Sequence, residues 1–445
     1  MSVAVDTMES NLTTQNWTTL DAAARRRALQ RPAQDSQGDI IADARDIIAM
    51  VRADGDTALR RLTRRFDGAQ LEQLRVDAYE FSAAHAALNS VQHSAIRRAI
   101  DNVRRFHAAQ ALSELDIETS PGVRCQRVTR AIAAVGLYVP SGSAPLPSAV
   151  IMSAVPAQLA GCAQRVLCSP PQRDGRANAA VLVAAELCGV HTVFKVGGAQ
   201  AIAAMAYGTQ SITKVDKIFG PGNAWVTAAK QLVAADPAGA ALDLPAGPSE
   251  VMVIADATAR ADFVAADLLA QAEHDPMSQS ILVTDSAALA AEIVTQIDQQ
   301  LVKCSRRAIL LQSLKQSRIL IADSVATAVE IANDYAPEHL ILQVENARSW
   351  LERIYNAGSV FLGPWTPEPM GDYCSGTNHV LPTYGYARAY SGLSLLDFSK
   401  RMTVQELTPA GLNDLGPTAI TLAELEGLGA HVHAVQLRLD ALKTQ

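Results

Sequence analysis

The chain has 445 residues, a size at which one hydrophobic core usually gives way to two or more domains. Hydrophobic residues make up 49% and charged residues 19%, which is globular usage and excludes a largely disordered chain. The net charge of −7 argues against nucleic-acid binding, because tracking phosphates requires clustered Lys and Arg. The basic cluster at residues 25–27, with Arg31 following, is typical of a solvated helix face.

Cysteine usage and the first residues indicate the compartment. The six cysteines form no C-x-x-C pair, so neither a zinc ribbon nor a disulfide framework is predicted and a reducing compartment fits best. The N-terminus lacks the basic and then apolar pattern of a signal peptide. The uncharged stretch between Arg130 and Arg165 mimics a membrane span, but its prolines and glycines would break a spanning helix. We therefore expect a cytoplasmic protein.

The predicted elements change character along the chain. Early on, Ile40, Ala44, Ile47 and Val51 recur at the spacing of one buried helix face. From about Ala131, short apolar runs alternate with helical segments, the pattern of βαβ units and a largely parallel sheet. The strand candidates are AIAAVGLYV, RVLCS, VHTVFKV and KVDKIFG, then SEVMVIAD, SQSILVTD, SRILIAD, EHLILQV and GSVFLG.

Helices are predicted within the second series, at residues 259–273 and 286–302. Residues 365–390 are rich in Pro, Gly, Tyr, Ser and Asn, which favours a functional loop, and two helical patterns follow it. The fold class is therefore α/β, with two doubly wound, Rossmann-like domains and small helical segments at both ends.

Two glycine-containing turns are candidates for an anion site. In FGPGNAW, Gly220 and Gly222 follow a strand and Asn223 can cap the next helix; in VGGAQAI, Gln200 lies at another helix start. Any tight βα turn resembles these, and the standard dinucleotide motif G-x-G-x-x-G is absent. Local sequence rules alone therefore do not predict NAD.

The histidines give a stronger signal. Gln271 and His274 lie three residues apart, which places both on one helix face, as either a buried polar pair or a zinc site. Asp372 and His379 lie together in the predicted loop, where they could equally stabilise a turn. His431 alternates with His433 in a helical pattern, so at most one of them would face a given site.

Glu338 and His339 stand side by side in APEHL, directly before an apolar run. An adjacent carboxylate and imidazole can divide acid and base duties. A Glu-His step can also be a solvated strand edge. From this position alone the two interpretations remain equally open.

Longer motifs in a fixed order carry more information: FGPGNAWVTAAK, DLPAGPSEVMVIAD, QAEH, APEHL, GSVFLG, GDYCSGTNHVLPTYGY and RMTVQEL. Together they closely resemble the histidinol dehydrogenase family. The match is nearly continuous from about Ala131 to the C-terminus, with a looser helical resemblance before that. Motifs this long and this ordered are specific to the family.

The resemblance implies a role for each matching residue. The implied zinc ligands are Gln271, His274, Asp372 and His431. The implied catalytic pair is Glu338 and His339. The implied substrate-binding residues are Ser249, His379 and Glu426, together with His339 and the four zinc ligands, and the implied NAD contacts are Tyr138, Gln200 and Asn223.

The resemblance also implies a reaction, an assembly and a domain layout. The reaction is zinc- and NAD-dependent oxidation of L-histidinol through L-histidinal to L-histidine, with His339 as the base for the alcohol and Glu338 as the base for water. His431 and Glu426 would reach the partner subunit's site, so a homodimer is expected. The expected domains are an N-terminal helical segment 1–32, a first domain 33–137 with 248–393, a second domain 138–247 and a C-terminal helical segment 394–445.

Two residues and two other functions complete the expectations. Ser141 stands where the family's motif leads us to expect glycine, which puts nucleotide affinity in doubt if that position needs positive φ. Cys374 could attack an aldehyde, but we expect it to pack passively. The alternatives are a dehydrogenase for another small polar alcohol and a zinc hydrolase using Glu338 without a nucleotide. A silent binding module would lack a ligand or base, and none is missing.

Overall fold

The structure, a computed structural model, describes residues 12–32, 37–141, 145–245 and 247–444. Within these ranges the β-strands are β1 Thr13–Asn16, β2 Leu115–Ser120, β3 Val123–Ala131, β4 Ala134–Tyr138, β5 Gln164–Ser169, β6 Thr192–Lys195, β7 Lys217–Phe219, β8 Ala241–Leu242, β9 Glu250–Ala255, β10 Gln279–Thr284, β11 Arg318–Ile321, β12 His339–Gln343, β13 Ser359–Leu362 and β14 Ser399–Leu407.

The α-helices in the same ranges are α1 Ala22–Ala28, α2 Gln37–Asp54, α3 Asp56–Phe66, α4 Ala78–Ala87, α5 Ser90–Ala108, α6 Pro147–Ala160, α7 Ala179–Leu187, α8 Gly198–Tyr207, α9 Ala224–Ala235, α10 Ala261–Ala272, α11 Ala287–Leu301, α12 Arg307–Leu314, α13 Val325–Tyr335, α14 Glu368–Tyr373, α15 Pro409–Leu425 and α16 Gly429–Lys443.

A six-stranded, fully parallel sheet has the order β1-β11-β10-β9-β12-β13. Its central strand β9 is buried at every residue, because helices cover both faces. One face packs against α10, α11 and α12, and the other packs against α13 and Trp17. In each βαβ connection the helix runs back across the sheet, so α10 and α13 end at the edge where the strands begin. The candidate site lies at this edge.

A second parallel sheet has the order β6-β5-β4-β7-β8. Helices α6 and α7 cover one face, and α8 and α9 cover the other. This confirms the predicted α/β class with two doubly wound, mostly parallel sheets. The predicted strands and the helices at residues 259–273 and 286–302 are present, with bounds that differ by a few residues.

A three-stranded antiparallel sheet, β14-β3-β2, was not predicted. It leads into an arm formed by α15 and α16, which pack on each other. Most of β14 and most of the arm are exposed. The C-terminal segment is therefore not purely helical, because RMTVQEL forms most of β14 and pairs with β3.

Helices α2, α4 and α5 pack on the helices that cover the five-stranded sheet. The apolar face of α2, including Ile40, Ala44 and Val51, packs against α8 and α9 of the five-stranded sheet. Helices α4 and α5 likewise pack against α7 and α6. The apolar faces of α2, α4 and α5 are therefore buried on that side of the molecule. The N-terminal segment contributes β1 to the six-stranded sheet.

No helix in the described part of the chain is long and apolar enough to cross a membrane. The described residues of the uncharged stretch include β4 and α6, and α6 contains Pro156.

Candidate functional site

The two parallel sheets present opposite edges to a shared cavity of about 1050 Å³. Tyr138, Gln200 and Asn223 line it from the carboxyl edge of the five-stranded sheet. Glu273 and His274 line it from the far side, where α10 returns to the amino edge of the six-stranded sheet. The volume is at the upper end for small-molecule sites, which suits a dinucleotide beside a substrate.

Metal-binding side chains gather at the α10 end of this cavity. Ligand atoms of His274, Glu368 and Asp372 lie within 4.8 Å of one another. Gln271 is fully buried beside them and lies against Glu368. His274 lies in the turn after α10, which ends at Ala272, so the predicted shared helix face is wrong while the predicted proximity holds. Imidazole nitrogen and carboxylate oxygen suit Zn²⁺, so these residues fit the implied metal.

The catalytic candidates Glu338 and His339 stand at the start of β12 and are buried, with 6% and 3% of their surfaces exposed. This rules out the solvated-edge interpretation. His339 Nδ1 lies 3.1 Å from the backbone oxygen of Glu250 and 3.1 Å from the side-chain amide of Gln271, and a proton on Nδ1 would donate to the Glu250 oxygen. His339 Nε2 has no hydrogen-bond partner and lies 3.6 Å from an oxygen of Asp372. In its neutral form, the imidazole therefore presents its basic nitrogen to the metal-binding side chains.

The buried ionisable groups around His339 shift one another's pKa values. Burial raises the pKa of Glu338 to about 8 and the pKa of Glu368 to about 8. Burial opposes protonation of His339, but the carboxylates of Glu368, Glu338 and Asp372 outweigh it and raise the pKa of this imidazole. A cation bound among these carboxyl groups would lower their pKa values and favour their charged forms.

His379 and Ser249 lie at the same edge. Burial lowers the pKa of His379, while the nearby Asp372 carboxylate acts in the opposite direction. The Nε2 atom of His379 is buried without a hydrogen-bond partner. Ser249 directly precedes β9, next to the residue that holds His339. Both predicted substrate-binding residues therefore lie close to the catalytic pair.

Glu368 is a residue that the sequence analysis missed. With its amide nitrogen turned toward Glu368, Gln271 places that nitrogen 2.9 and 3.2 Å from the two carboxylate oxygens and 3.1 Å from His339 Nδ1, and its two N–H hydrogens can both go to Glu368. That orientation frees the amide oxygen of Gln271 to act as a ligand. Glu368 and Asp372 are four residues apart on α14, so helical spacing was the available signal, but this segment was predicted to be a loop.

Replacing Glu368 by glutamine is expected to weaken zinc binding by about 10- to 100-fold, because the carboxylate that orients Gln271 is lost. Competition with a chromogenic chelator measures this affinity directly. Glu352→Gln, an exposed glutamate, is the matched control. In the Glu368→Gln background, Gln271→Ala should add little further loss. Unchanged zinc affinity in Glu368→Gln would contradict the orienting role.

The two glycine turns lie at the wall of the cavity that Gln200 and Asn223 line. The Asn223 side chain accepts from the backbone N–H of Val226 at 3.1 Å, so the predicted helix cap is confirmed. Gly220 has φ +116°, and a Cβ there would collide with the carbonyl oxygen of Tyr138. The Tyr138 hydroxyl in turn accepts from the N–H of Gly198. Two helix N-termini therefore face one cavity, which suits a pyrophosphate.

Ser141 and Asp67 also line this cavity. The φ of Ser141 is not positive, so its backbone does not require glycine. Asp67 was not predicted. Burial raises the pKa of Asp67 to about 6, and its Oδ2 has no hydrogen-bond partner.

Glu426 and His431 are not brought to this cluster within one chain. Glu426 ends α15 and His431 lies in α16, both exposed on the arm. Cys374 packs partly buried against the core of the five-stranded sheet, and its backbone oxygen accepts from Asn102. That contact supports the packing interpretation of Cys374.

Comparisons with known proteins identify the family of the chain. The sequence profile of the histidinol dehydrogenase family matches residues 29–439. The chain is 54% identical over 426 residues to histidinol dehydrogenase of Vibrio vulnificus (strain YJ016), covering 96% of this chain and 98% of that one. It is 54% identical over 428 residues to the enzyme of Xanthomonas campestris pv. campestris (strain 8004), covering 96% and 99%.

A solved structure gives the same result. The crystal structure of histidinol dehydrogenase from Elizabethkingia anophelis superposes with a TM-score of 0.92 at 45% sequence identity, covering 98% of this chain and 99% of that chain. The fold, the profile and the relatives agree along almost the whole length. The chain therefore belongs to the histidinol dehydrogenase family.

Proposed function

We propose that the protein oxidises L-histidinol through L-histidinal to L-histidine with one zinc ion per subunit and NAD, as an enzyme of histidine biosynthesis in the cytoplasm. One observation supports this most. The potential metal ligands His274 and Asp372, with Gln271 beside them, lie next to His339, whose Nε2 has no hydrogen-bond partner. They stand at one end of the cavity, and the opposite wall carries the two glycine turns. Free cysteines fit the reducing compartment.

The proposed assignments follow this layout. When bound, zinc would hold the amine and imidazole nitrogens of the substrate, and NAD would accept one hydride in each oxidation. Gln271, His274 and Asp372 would hold the metal, with His431 of a second copy. Tyr138, Gln200 and Asn223 would contact NAD, and Ser249, His379 and Glu426 would contact the substrate.

His339 supplies the base for the first oxidation. An alcohol has a pKa of about 16, so hydride loss must be coupled to removal of the hydroxyl proton by a positioned base. The bond from Nδ1 to the Glu250 carbonyl leaves Nε2 free to take that proton. The Glu250 peptide thus fixes both the tautomer and the direction of the ring.

Glu338 serves the hydration that separates the two oxidations. Its carboxylate removes a proton from water as the oxygen adds to the aldehyde carbon. His339 returns the proton it took from the alcohol to the carbonyl oxygen, which gives a gem-diol and leaves His339 neutral. His339 then takes a diol proton as the second hydride leaves. Burial of both residues keeps the reactive aldehyde in a confined space.

A homodimer is proposed because large apolar side chains stand exposed on adjoining elements. On the antiparallel sheet these are Leu115, Ile117, Met402, Val404 and Leu407, and on the arm they are Leu415, Leu422, Leu425, Leu428 and Leu437. Exposed apolar patches of this kind mark interaction surfaces. A second copy covering them could also receive His431 and Glu426 from the arm.

Mixed dimers test the shared site. His431→Ala and His339→Ala are each expected to be inactive alone, and His431→Ala should also retain zinc poorly. Co-assembled, they should recover about a quarter of wild-type activity, because half of the dimers then carry one intact site out of two. Steady-state rates on co-expressed protein measure this. No recovery, together with full zinc occupancy in His431→Ala, would exclude ligation across subunits.

The reaction itself is tested by incubating purified protein with histidinol and NAD. Two reduced nucleotides should form for each histidine, and chelation should abolish the reaction. One reduced nucleotide per histidinol consumed, with no histidine formed, would identify a simple alcohol dehydrogenase. Ester hydrolysis without nucleotide consumption would instead favour the hydrolase alternative.

A further inference from the structure

Arg31 connects the N-terminal segment to the starts of two neighbouring strands of the six-stranded sheet. Its Nε lies 2.5 Å from Glu250 Oε1 and its Nη2 lies 3.0 Å from Oε2, a bidentate ion pair. The Glu250 carboxylate is 2% exposed. The guanidinium also stacks on the Tyr335 ring at 4.0 Å from its centre. The predicted solvated position of Arg31 is therefore wrong.

Glu250 holds the catalytic pair with its two backbone groups. Its N–H donates to Glu338 Oε2 at 2.8 Å, and its carbonyl oxygen accepts from His339 Nδ1 at 3.1 Å. A shift of this one residue would therefore move the carboxylate and rotate the imidazole together. Its side chain is fixed by Arg31 and by the N–H of Tyr384 at 2.9 Å.

Arg31 also holds the turn that delivers the catalytic pair. Its Nη2 donates to the carbonyl oxygen of Tyr335 at 2.8 Å and to that of Ala336 at 3.4 Å. Ala336 has φ +53°, a left-handed conformation that is unfavourable for alanine and is followed closely by Glu338. The same guanidinium therefore constrains the approaches to both β9 and β12.

We propose that Arg31 is a positioning residue for the proposed oxidation of histidinol, acting through Glu250 and the Tyr335–Ala336 turn on Glu338 and His339. Its planar, forked donors serve a carboxylate and a turn together. A lysine would supply the charge but not this geometry. The expected changes in rate rest on the proposed function, whereas the geometry of His339 can be measured without turnover.

The test compares Arg31→Lys and Arg31→Met with wild type in the zinc-loaded, full-length protein. Both variants should slow the first hydride transfer in a single turnover by about 10- to 100-fold, with KM for histidinol and zinc content unchanged. Arg31→Lys should lower the melting temperature less than Arg31→Met does, because the lysine ammonium still compensates the charge of Glu250. Full activity in Arg31→Lys would show that charge alone matters and would overturn the proposal.

Arg318→Met is the matched control. Arg318 donates to the carbonyl oxygens of Arg27 and Ala28, so it holds the same segment without touching Glu250. Arg318→Met should lower the melting temperature and leave the rate of the first hydride transfer unchanged. A rate loss in Arg318→Met equal to that in Arg31→Met would reduce Arg31 to a structural role. The double variant Arg31→Met with Glu250→Gln removes the uncompensated charge and should regain stability but not rate. Regained rate would likewise overturn the proposal.

A readout without catalysis separates the two proposals. The hydrogen-bonded Nδ1–H of His339 should give a slowly exchanging proton resonance in wild type and in Arg318→Met, and it should be lost in Arg31→Met. If wild type does not oxidise histidinol, the proposed function fails and this resonance still decides the role of Arg31. Persistence of the resonance in Arg31→Met would overturn that role.

Discussion

Replacing His339 by asparagine is expected to abolish histidinol oxidation, with a loss of about 10²- to 10⁴-fold in kcat. The asparagine amide can still donate to the Glu250 carbonyl, but no basic nitrogen then occupies the position of Nε2. The variant should therefore fold and fail at proton removal. Initial rates of nucleotide reduction measure the effect.

Two measurements make the His339 result specific. Zinc content and NAD affinity should match wild type, since neither depends on Nε2. His191→Asn, an exposed histidine outside the site, should retain full activity. Unchanged turnover in His339→Asn would remove this residue from the role of base.

Replacing Glu338 by glutamine is expected to separate the two oxidations. The amide oxygen can still accept from the Glu250 N–H, so the local structure should persist. Water is then no longer deprotonated, so hydration of the aldehyde should slow by about 10²-fold or more while the first hydride transfer continues. One reduced nucleotide per histidinol should form quickly, with histidinal accumulating. Equal loss of both steps would contradict this division.

The second step should also depend on pH in a definite direction. Glu338 acts as a base only when deprotonated, and burial raises its pKa to about 8. The rate from histidinal should therefore rise with pH and level off near or below that value, because a nearby cation lowers the pKa of a carboxylate. Rates with histidinal as substrate across pH 6 to about 9.5 test this. If the pH profile of Glu338→Gln kept the same rise, the rise would belong to another titrating group.

Much of the fold was predictable because local patterns and burial agree. The apolar runs that became β4 to β7 and β9 to β13 carry their own signal, and Gly220 marks a turn that tolerates no side chain. The antiparallel sheet was missed because exposed strands such as β14 lack a strong apolar alternation. Strand β1 was missed because TTQN has no apolar residue.

The site was predictable only in part. Gln271, His274, Asp372, Glu338 and His339 were identified from motifs and lie together. Glu368 and Arg31 were not identified, because their significance depends on contacts far away in the chain: Glu368 with Gln271, and Arg31 with Glu250. No local spacing encodes such pairs.

Periodicity and long contiguous motifs were enough to predict the order of the strands β4 to β7 and β9 to β13, the α/β class, the glycine turns and the family. They did not show that α2 to α5 pack on the helices covering the five-stranded sheet, or that Glu338 and His339 lie at the amino edge of the other sheet. Packing and hydrogen bonds between distant segments select among arrangements that the same local patterns allow. Nor can local pattern decide which tautomer His339 adopts, since that depends on a carbonyl oxygen 89 residues away.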